Sequence, residues 1–144
     1  MALNLIPTVL QRLADRRRPA VFGVDYPTPG GACVRGFVRV EDLASAHVAG
    51  LEYSDRGERL FDVFDVGPAV GHSVREAIDA IGKATGLDVT PDDEPRRGKG
   101  DPAILIGDVG RIERVFGWKA RHGLTSIVDS AWRAWQTGPR RFAV

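Results

Sequence analysis

A chain of 144 residues carrying 20 Lys+Arg against 19 Asp+Glu has the size of one domain, and its near-neutral charge excludes the strong basic field that nucleic-acid binding needs. Its lone cysteine, Cys33, cannot close an internal disulfide. No secretory apolar region and no apolar run of membrane-spanning length occurs, so the cytoplasm is the expected compartment and a membrane is not an expected partner.

Ile6, Val9, Leu10 and Leu13 recur at helical spacing, and Pro7 suits a first turn where its missing N–H is not needed, so the chain is predicted to open with a short amphipathic helix. Arg16-Arg17-Arg18-Pro19 reads as the solvated end of that helix, favoured by the dipole, rather than as an anion patch. Ala20-Val21-Phe22 is a short strand, and Asp25 to Gly31, dense in Pro and Gly, is a loop. Cys33 to Val40 alternates and predicts another strand. Cys33 itself reads as a small packed residue rather than a nucleophile, since His47 is the nearest histidine and no triad pattern surrounds it. Leu43, Ala44, His47, Val48 and Leu51 form a helical stripe, with small Ala46, Ala49 and Gly50 allowing close packing; His47 is taken as a packed residue, not a ligand. Leu60 to Gly67, rich in Phe and Val and closed by Gly67-Pro68, predicts a buried strand of the parallel-sheet kind.

Ser73-Val74-Arg75-Glu76 is a capping box that starts a helix with Val74, Ala77, Ile78, Ile81 and Ala84 on its buried face and Gly86 as its stop. Asp108 is placed as the N-cap of a helix bearing Val109, Ile112, Val115 and Phe116 and ending at Gly117. Leu124, Ile127, Val128, Ala131 and Trp135 mark a final helix that Gly138-Pro139 ends. Repeats and heptads are absent from the sequence, and the alternation of helix and strand predicts an α/β fold.

Read in order, Asn4-Leu5-Ile6-Pro7, Val21-Phe22-Gly23-x-Asp25-Tyr26-Pro27-Thr28-Pro29, Cys33-Val34-Arg35 and Val40-x-Asp42-Leu43-Ala44-x-Ala46-His47 resemble successive blocks of UDP-glucose 4-epimerases. Gly71-x-Ser73-Val74, Pro95-Arg96-Arg97, Gly100-Asp101-Pro102-Ala103, Gly117-Trp118-Lys119 and Ala131-Trp132-x-x-Trp135 follow in the same order. The resemblance spans almost the whole chain. It implies residues 1–144 as a single partial domain, the carboxy-terminal, substrate-binding portion of an extended short-chain dehydrogenase/reductase, lacking most of the Rossmann sheet.

A UDP-sugar offers two phosphates, a ribose diol and a planar uracil, which call for guanidinium forks, a diol acceptor and backbone groups beside an apolar wall. By resemblance, Arg35 and Arg97 bind the diphosphate and Asp101 accepts from the ribose hydroxyls. Asn4 and the Leu5 backbone hold the diphosphate side, while Ala20, Val21 and Phe22 meet uracil, and Leu105 stands where the family tunes the sugar pocket. Outside that context an Arg or Asp is a surface ion pair worth about 0–1 kcal/mol, and Phe22 is ordinary core. Trp118, Trp132 and Trp135 are assigned to packing.

The chain departs from the family in two places. Arg35-Gly36-Phe37-Val38-Arg39-Val40 stands where Arg-Asp-Tyr-Ile-His-Val is usual, and Gly98-Lys99-Gly100 makes the loop before Asp101 one residue longer. The family's epimerisation uses NAD and a Tyr-x-x-x-Lys pair, but Tyr26 is followed four positions on by Gly30 and Tyr53 by Gly57, and no glycine fingerprint for a dinucleotide follows a first strand. NAD is therefore expected in the full-length family and not on this chain alone, which is expected to be inactive by itself. An unpaired Leu60 to Gly67 edge predicts poor solubility unless a separate dinucleotide-binding chain or a homo-oligomer covers it. The alternatives are a non-catalytic UDP-sugar-binding module, a structural remnant, or a fragment of a related nucleotide-sugar epimerase or dehydratase.

Overall fold

The structure, a computed structural model, describes residues 4–57, 62–96 and 101–138. Among the described residues, five α-helices and five short strands are interspersed: α1 Leu5–Ala14, β1 Ala20–Phe22, β2 Val34–Arg35, α2 Val40–Asp55, β3 His72–Ser73, α3 Val74–Thr85, β4 Asp92–Glu94, β5 Ile104–Leu105, α4 Gly110–Phe116 and α5 Leu124–Thr137. β1 pairs in parallel with β4, and β2 lies between antiparallel β3 and parallel β5. This is the α/β class that the alternation predicts.

The main core lies where α1, α3 and α5 meet. Ile6, Val9 and Leu10 of α1 close on Ile78 and Ile81 of α3 and on Ile127 and Val128 of α5, with Val21 and Ala32 beneath. Trp132 and Trp135 pack against the rim of this cluster. Ser73 caps α3 as the sequence predicts, its hydroxyl accepting from the Glu76 N–H while Glu76 accepts from the Ser73 N–H. Gly86 and Gly117 end α3 and α4 in the left-handed conformation. A second, smaller cluster joins Ala46 of α2, Ile112 of α4 and Trp118, whose indole N–H donates to Ser45 Oγ at 2.8 Å.

Four expectations are corrected. In the predicted strand Leu60 to Gly67, Leu60 and Phe61 lie outside the described residues, and residues 62–66 form no ladder. The segment is held by side chains instead: Asp62 accepts from Arg111, the Asp108 N–H donates to Asp65 at 3.1 Å, and Phe64 and Val66 turn toward the second core while Val63 is 81% exposed. Of the strand predicted over Cys33 to Val40, only Val34 and Arg35 pair, because both neighbouring strands are two residues long. Val40 already begins α2, and Arg39 reaches across to Ser126 Oγ at 3.0 Å. The stripe expected to be buried on α2 faces outward, and Asp42 and Ala46 are the residues buried there. Asp108 precedes α4 by two positions: Val109 is the N-cap, and Asp108 accepts from the Gly110 N–H at 3.0 Å.

Candidate functional site

Helix α1, strand β1 and strand β2 frame a cavity of about 340 Å³, within the range of small-molecule sites. Leu5, Thr8, Val9 and Arg12 line it from α1, Ala20 and Phe22 from β1, Cys33 and Arg35 from the β2 side, with Phe37, Val74 and Asp101 completing the wall. The alternation of β1 decides which of its residues take part: Ala20 and Phe22 face the cavity, and Val21, 1% exposed, turns into the main core.

Arg35 is the organised cation of this wall. Its Nη1 donates to the Val34 and Pro102 carbonyls at 2.8 and 2.9 Å, which ties the guanidinium to β2 and to the segment just before β5. Its Nη2 lies 3.6 Å from Asp101 Oδ1. The Arg35 side chain is 23% exposed and that of Asp101 58%, so the carboxylate can swing toward solvent while the guanidinium stays fixed.

Of the residues singled out in the sequence, Leu5, Ala20, Phe22, Arg35 and Asp101 converge on this cavity. Asn4, the N-cap of α1, makes no capping hydrogen bond with its side chain and does not line the cavity. Leu105 lies opposite Arg35 in the β2–β5 register, is 60% exposed and does not line the cavity. Arg97 lies outside the described residues. Thr8, Val9 and Arg12 were missed, although their spacing of three, four and seven residues from Leu5 places them on one helix face. Arg12 donates from Nε to the Arg18 carbonyl at 2.6 Å, which brings a second guanidinium to the rim. Cys33, expected as packed core, is half-buried at the cavity wall.

Arg96, next to Arg97, has a structural task. Its Nε and Nη2 donate to the Asp25 carboxylate and carbonyl at 2.7 and 3.0 Å, and its guanidinium sits 4.0 Å over the buried Tyr26 ring. The Arg96 hydrogen bond and charge hold the Asp25 carboxyl below its ordinary range. Gly23, at φ 79°, lets these groups close in: a Cβ there would come within 2.5 Å of Tyr26 and 2.8 Å of Arg96.

A larger cleft of about 520 Å³ runs between α3 and α5, lined by His72, Glu76, Asp79, Lys83 and Asp129 among others, and contains none of the binding residues that the resemblance implies. Among the described residues no group of three or more His, Cys, Asp or Glu could hold a metal ion, and no helix is long and apolar enough to cross a membrane. The 340 Å³ cavity offers guanidinium groups, a carboxylate and an aromatic edge together. That set suits an anion joined to a diol and a flat ring.

No family model matches the chain. It is 37% identical over 131 residues to the UDP-glucose 4-epimerase of Corynebacterium glutamicum, a match that covers 90% of this chain and 39% of that protein. The UDP-glucose 4-epimerase of Stenotrophomonas maltophila, solved with bound NAD and formylated UDP-arabinopyranose, superposes with a TM-score of 0.85 at 40% identity, over 94% of this chain and 40% of the other. That of Bifidobacterium longum, solved in complex with NAD+ and UDP, superposes with a TM-score of 0.80 at 32% identity, over 94% and 40%. The chain thus spans about two-fifths of the length of the relatives it matches.

Proposed function

This chain is homologous along nearly all its length to the carboxy-terminal portion, about two-fifths, of the UDP-glucose 4-epimerases, and from that kinship we propose that it is the UDP-sugar-binding part of such an enzyme. The observation that carries the reading is the convergence of Leu5, Ala20, Phe22, Arg35 and Asp101, spread over almost a hundred residues of sequence, on one cavity. In this reading Arg35 and Arg97 grip the diphosphate beside the Leu5 backbone, Asp101 accepts from the ribose hydroxyls, and the Ala20–Phe22 edge meets the uracil.

The residues present do not fit NAD. No described strand passes through a glycine-rich turn into a helix N-terminus, the arrangement that receives a pyrophosphate. Interconversion of UDP-glucose and UDP-galactose, with its hydride and proton transfers, therefore requires polypeptide beyond these residues, and this chain alone binds without turnover. The lone cysteine suits the cytoplasm.

A calorimetric titration with UDP tests the reading. Binding that Arg35→Ala weakens about tenfold or more supports it, since a charge-assisted hydrogen bond is worth about 1.5–3 kcal/mol. One observation favours a structural remnant: the Arg35 guanidinium already has two carbonyl partners and a carboxylate. Under that second reading no UDP heat appears, and Arg35→Ala only lowers thermal stability.

A further inference from the structure

Arg12 is the charged group that α1 brings to the cavity wall, beside Leu5, Thr8 and Val9, and it is half-buried there. A cation in the last turn of a helix is favoured by the helix dipole, and tying that turn to the segment that follows it takes one donor. Nε supplies it, to the Arg18 carbonyl at 2.6 Å. The two Nη groups take no hydrogen-bond partner among the described residues. Because a guanidinium is a planar, rigid fork, fixing Nε also fixes the plane in which those Nη donors are offered.

The place of Arg12 along the cavity decides which part of a ligand those donors meet. It stands seven residues beyond Leu5, about 10 Å along the helix axis. The carbonyl that holds it belongs to Arg18, two residues before β1 begins at Ala20. In the reading of the cavity as a UDP-sugar site, on which this inference rests, Leu5 marks the diphosphate side and the Ala20–Phe22 edge meets the uracil, so Arg12 stands at the base end. A guanidinium has donors and no acceptor. Uracil, like thymine, carries the O4 carbonyl, an acceptor, where cytosine carries the N4 amino group, a donor. We propose that Arg12 is a specificity-determining residue that reads the base: its Nη groups donate to the carbonyl edge of uracil and disfavour cytosine, where donor faces donor.

The test is calorimetric titration of the chain and of its Arg12→Ala and Arg12→Gln variants with UDP, CDP and UMP. The unaltered chain is expected to prefer UDP to CDP. In both variants that preference should fall about tenfold or more, the worth of a charge-assisted hydrogen bond, because UDP and UMP weaken alike while CDP does not. Arg12→Gln keeps a long stem and a good helix former and serves if the alanine variant fails to fold; its amide can turn either a donor or an acceptor to the base, so it too loses the discrimination. Equal losses for UDP and CDP overturn the proposal, since Arg12 then only braces the approach to β1 through Arg18. A loss for UDP that UMP does not share also overturns it, since the guanidinium is then on the phosphates. If the chain gives no heat with any of the three nucleotides, the binding reading falls and the proposal with it. UDP binding with a UDP-to-CDP preference that is absent, or unaltered in the variants, sinks the proposal alone.

Discussion

Asp42, in the first turn of α2, and His122, eighty residues away, are joined twice: the His122 N–H donates to Asp42 Oδ2 at 3.0 Å, and the ring Nδ1 lies 2.8 Å from Oδ1. Asp42 is 2% exposed. Burial opposes its charge, but the hydrogen bonds from the His122 ring and from the His122 and Arg121 N–H groups outweigh that cost and hold the carboxyl below its ordinary range. The pair ties α2 to the segment between α4 and α5.

The sign of the pH effect follows from this. A carboxyl that loses its proton more readily in the folded than in the unfolded state adds stability above the unfolded value, about 3.9, and that contribution disappears as pH falls through the lower folded value. Asp42→Asn removes the titration and is expected to cost about 2 kcal/mol at neutral pH, the loss of charge-assisted hydrogen bonds. Chemical denaturation of both proteins between pH 7 and pH 2.5 checks it: the gap should stay constant down to about pH 5 and narrow below about pH 4. A gap that widens toward acid would contradict the assignment.

The Arg96 clamp makes a separate prediction. Because Arg96 holds Asp25 and Tyr26 at the end of β1, Arg96→Ala should loosen the strand that presents Ala20 and Phe22 to the cavity. Arg96→Lys keeps a charge but loses the paired donors and the flat stacking surface. Both variants are therefore expected to bind UDP more weakly, with Lys rescuing little, and hydrogen exchange at Gly23 and Tyr26 should quicken in both. Unchanged exchange with weakened binding would mean that Arg96 touches the ligand itself.

What the sequence discloses depends on how local its physical cause is. The Ser73–Glu76 box and the Gly86 and Gly117 stops involve groups within a few residues of each other, so their side chains alone announce them. Helix α2 was legible as a helix but not in its orientation. With apolar stripes on both sides, periodicity cannot say which one the chain itself buries, and the deciding contacts, Asp42 to His122 and Ser45 to Trp118, cross more than seventy residues. The Leu60 to Gly67 segment looks like a strand because it is rich in Phe and Val, but a strand exists only when a neighbour accepts its ladder. Leu5, Ala20, Phe22, Arg35 and Asp101 were chosen through resemblance, and no pattern within the chain would have grouped them. Thr8 and Arg12 could have been added from the periodicity of α1.

Arg16 was also illegible. Helix α1 ends with the Arg16 N–H donating to the Leu13 carbonyl at 3.0 Å and the Arg17 N–H to the Arg12 carbonyl at 2.8 Å, the paired bonds of a Schellman stop. That stop places Arg16 at φ 56°, a conformation that costs a residue with a Cβ about 1–2 kcal/mol. Arg16→Gly removes this strain while giving the unfolded chain more freedom, so a net gain of about 0.5–1 kcal/mol is expected. Thermal melting of the two proteins decides it. A loss would show that the Arg16 side chain supports the helix end in some other way.

The last prediction concerns the 3.6 Å approach of Arg35 to Asp101. If the diphosphate takes the guanidinium, the carboxylate must turn to the ribose, so the two residues should fail differently. Arg35→Ala is expected to remove most of the preference for UDP over UMP, because the second phosphate is what the guanidinium adds to recognition, and to flatten the dependence of binding on salt. Asp101→Asn keeps an acceptor for a hydroxyl and frees Arg35 from its internal partner, so UDP affinity should hold within about threefold. Asp101→Ala, with no acceptor left, should weaken UDP and UMP alike by about tenfold, one hydrogen bond's worth. Titrations of the three variants with both nucleotides at low and moderate salt read out this pattern. Equal losses for UDP and UMP in Arg35→Ala would mean that Arg35 braces the cavity wall through Val34 and Pro102 without touching the diphosphate.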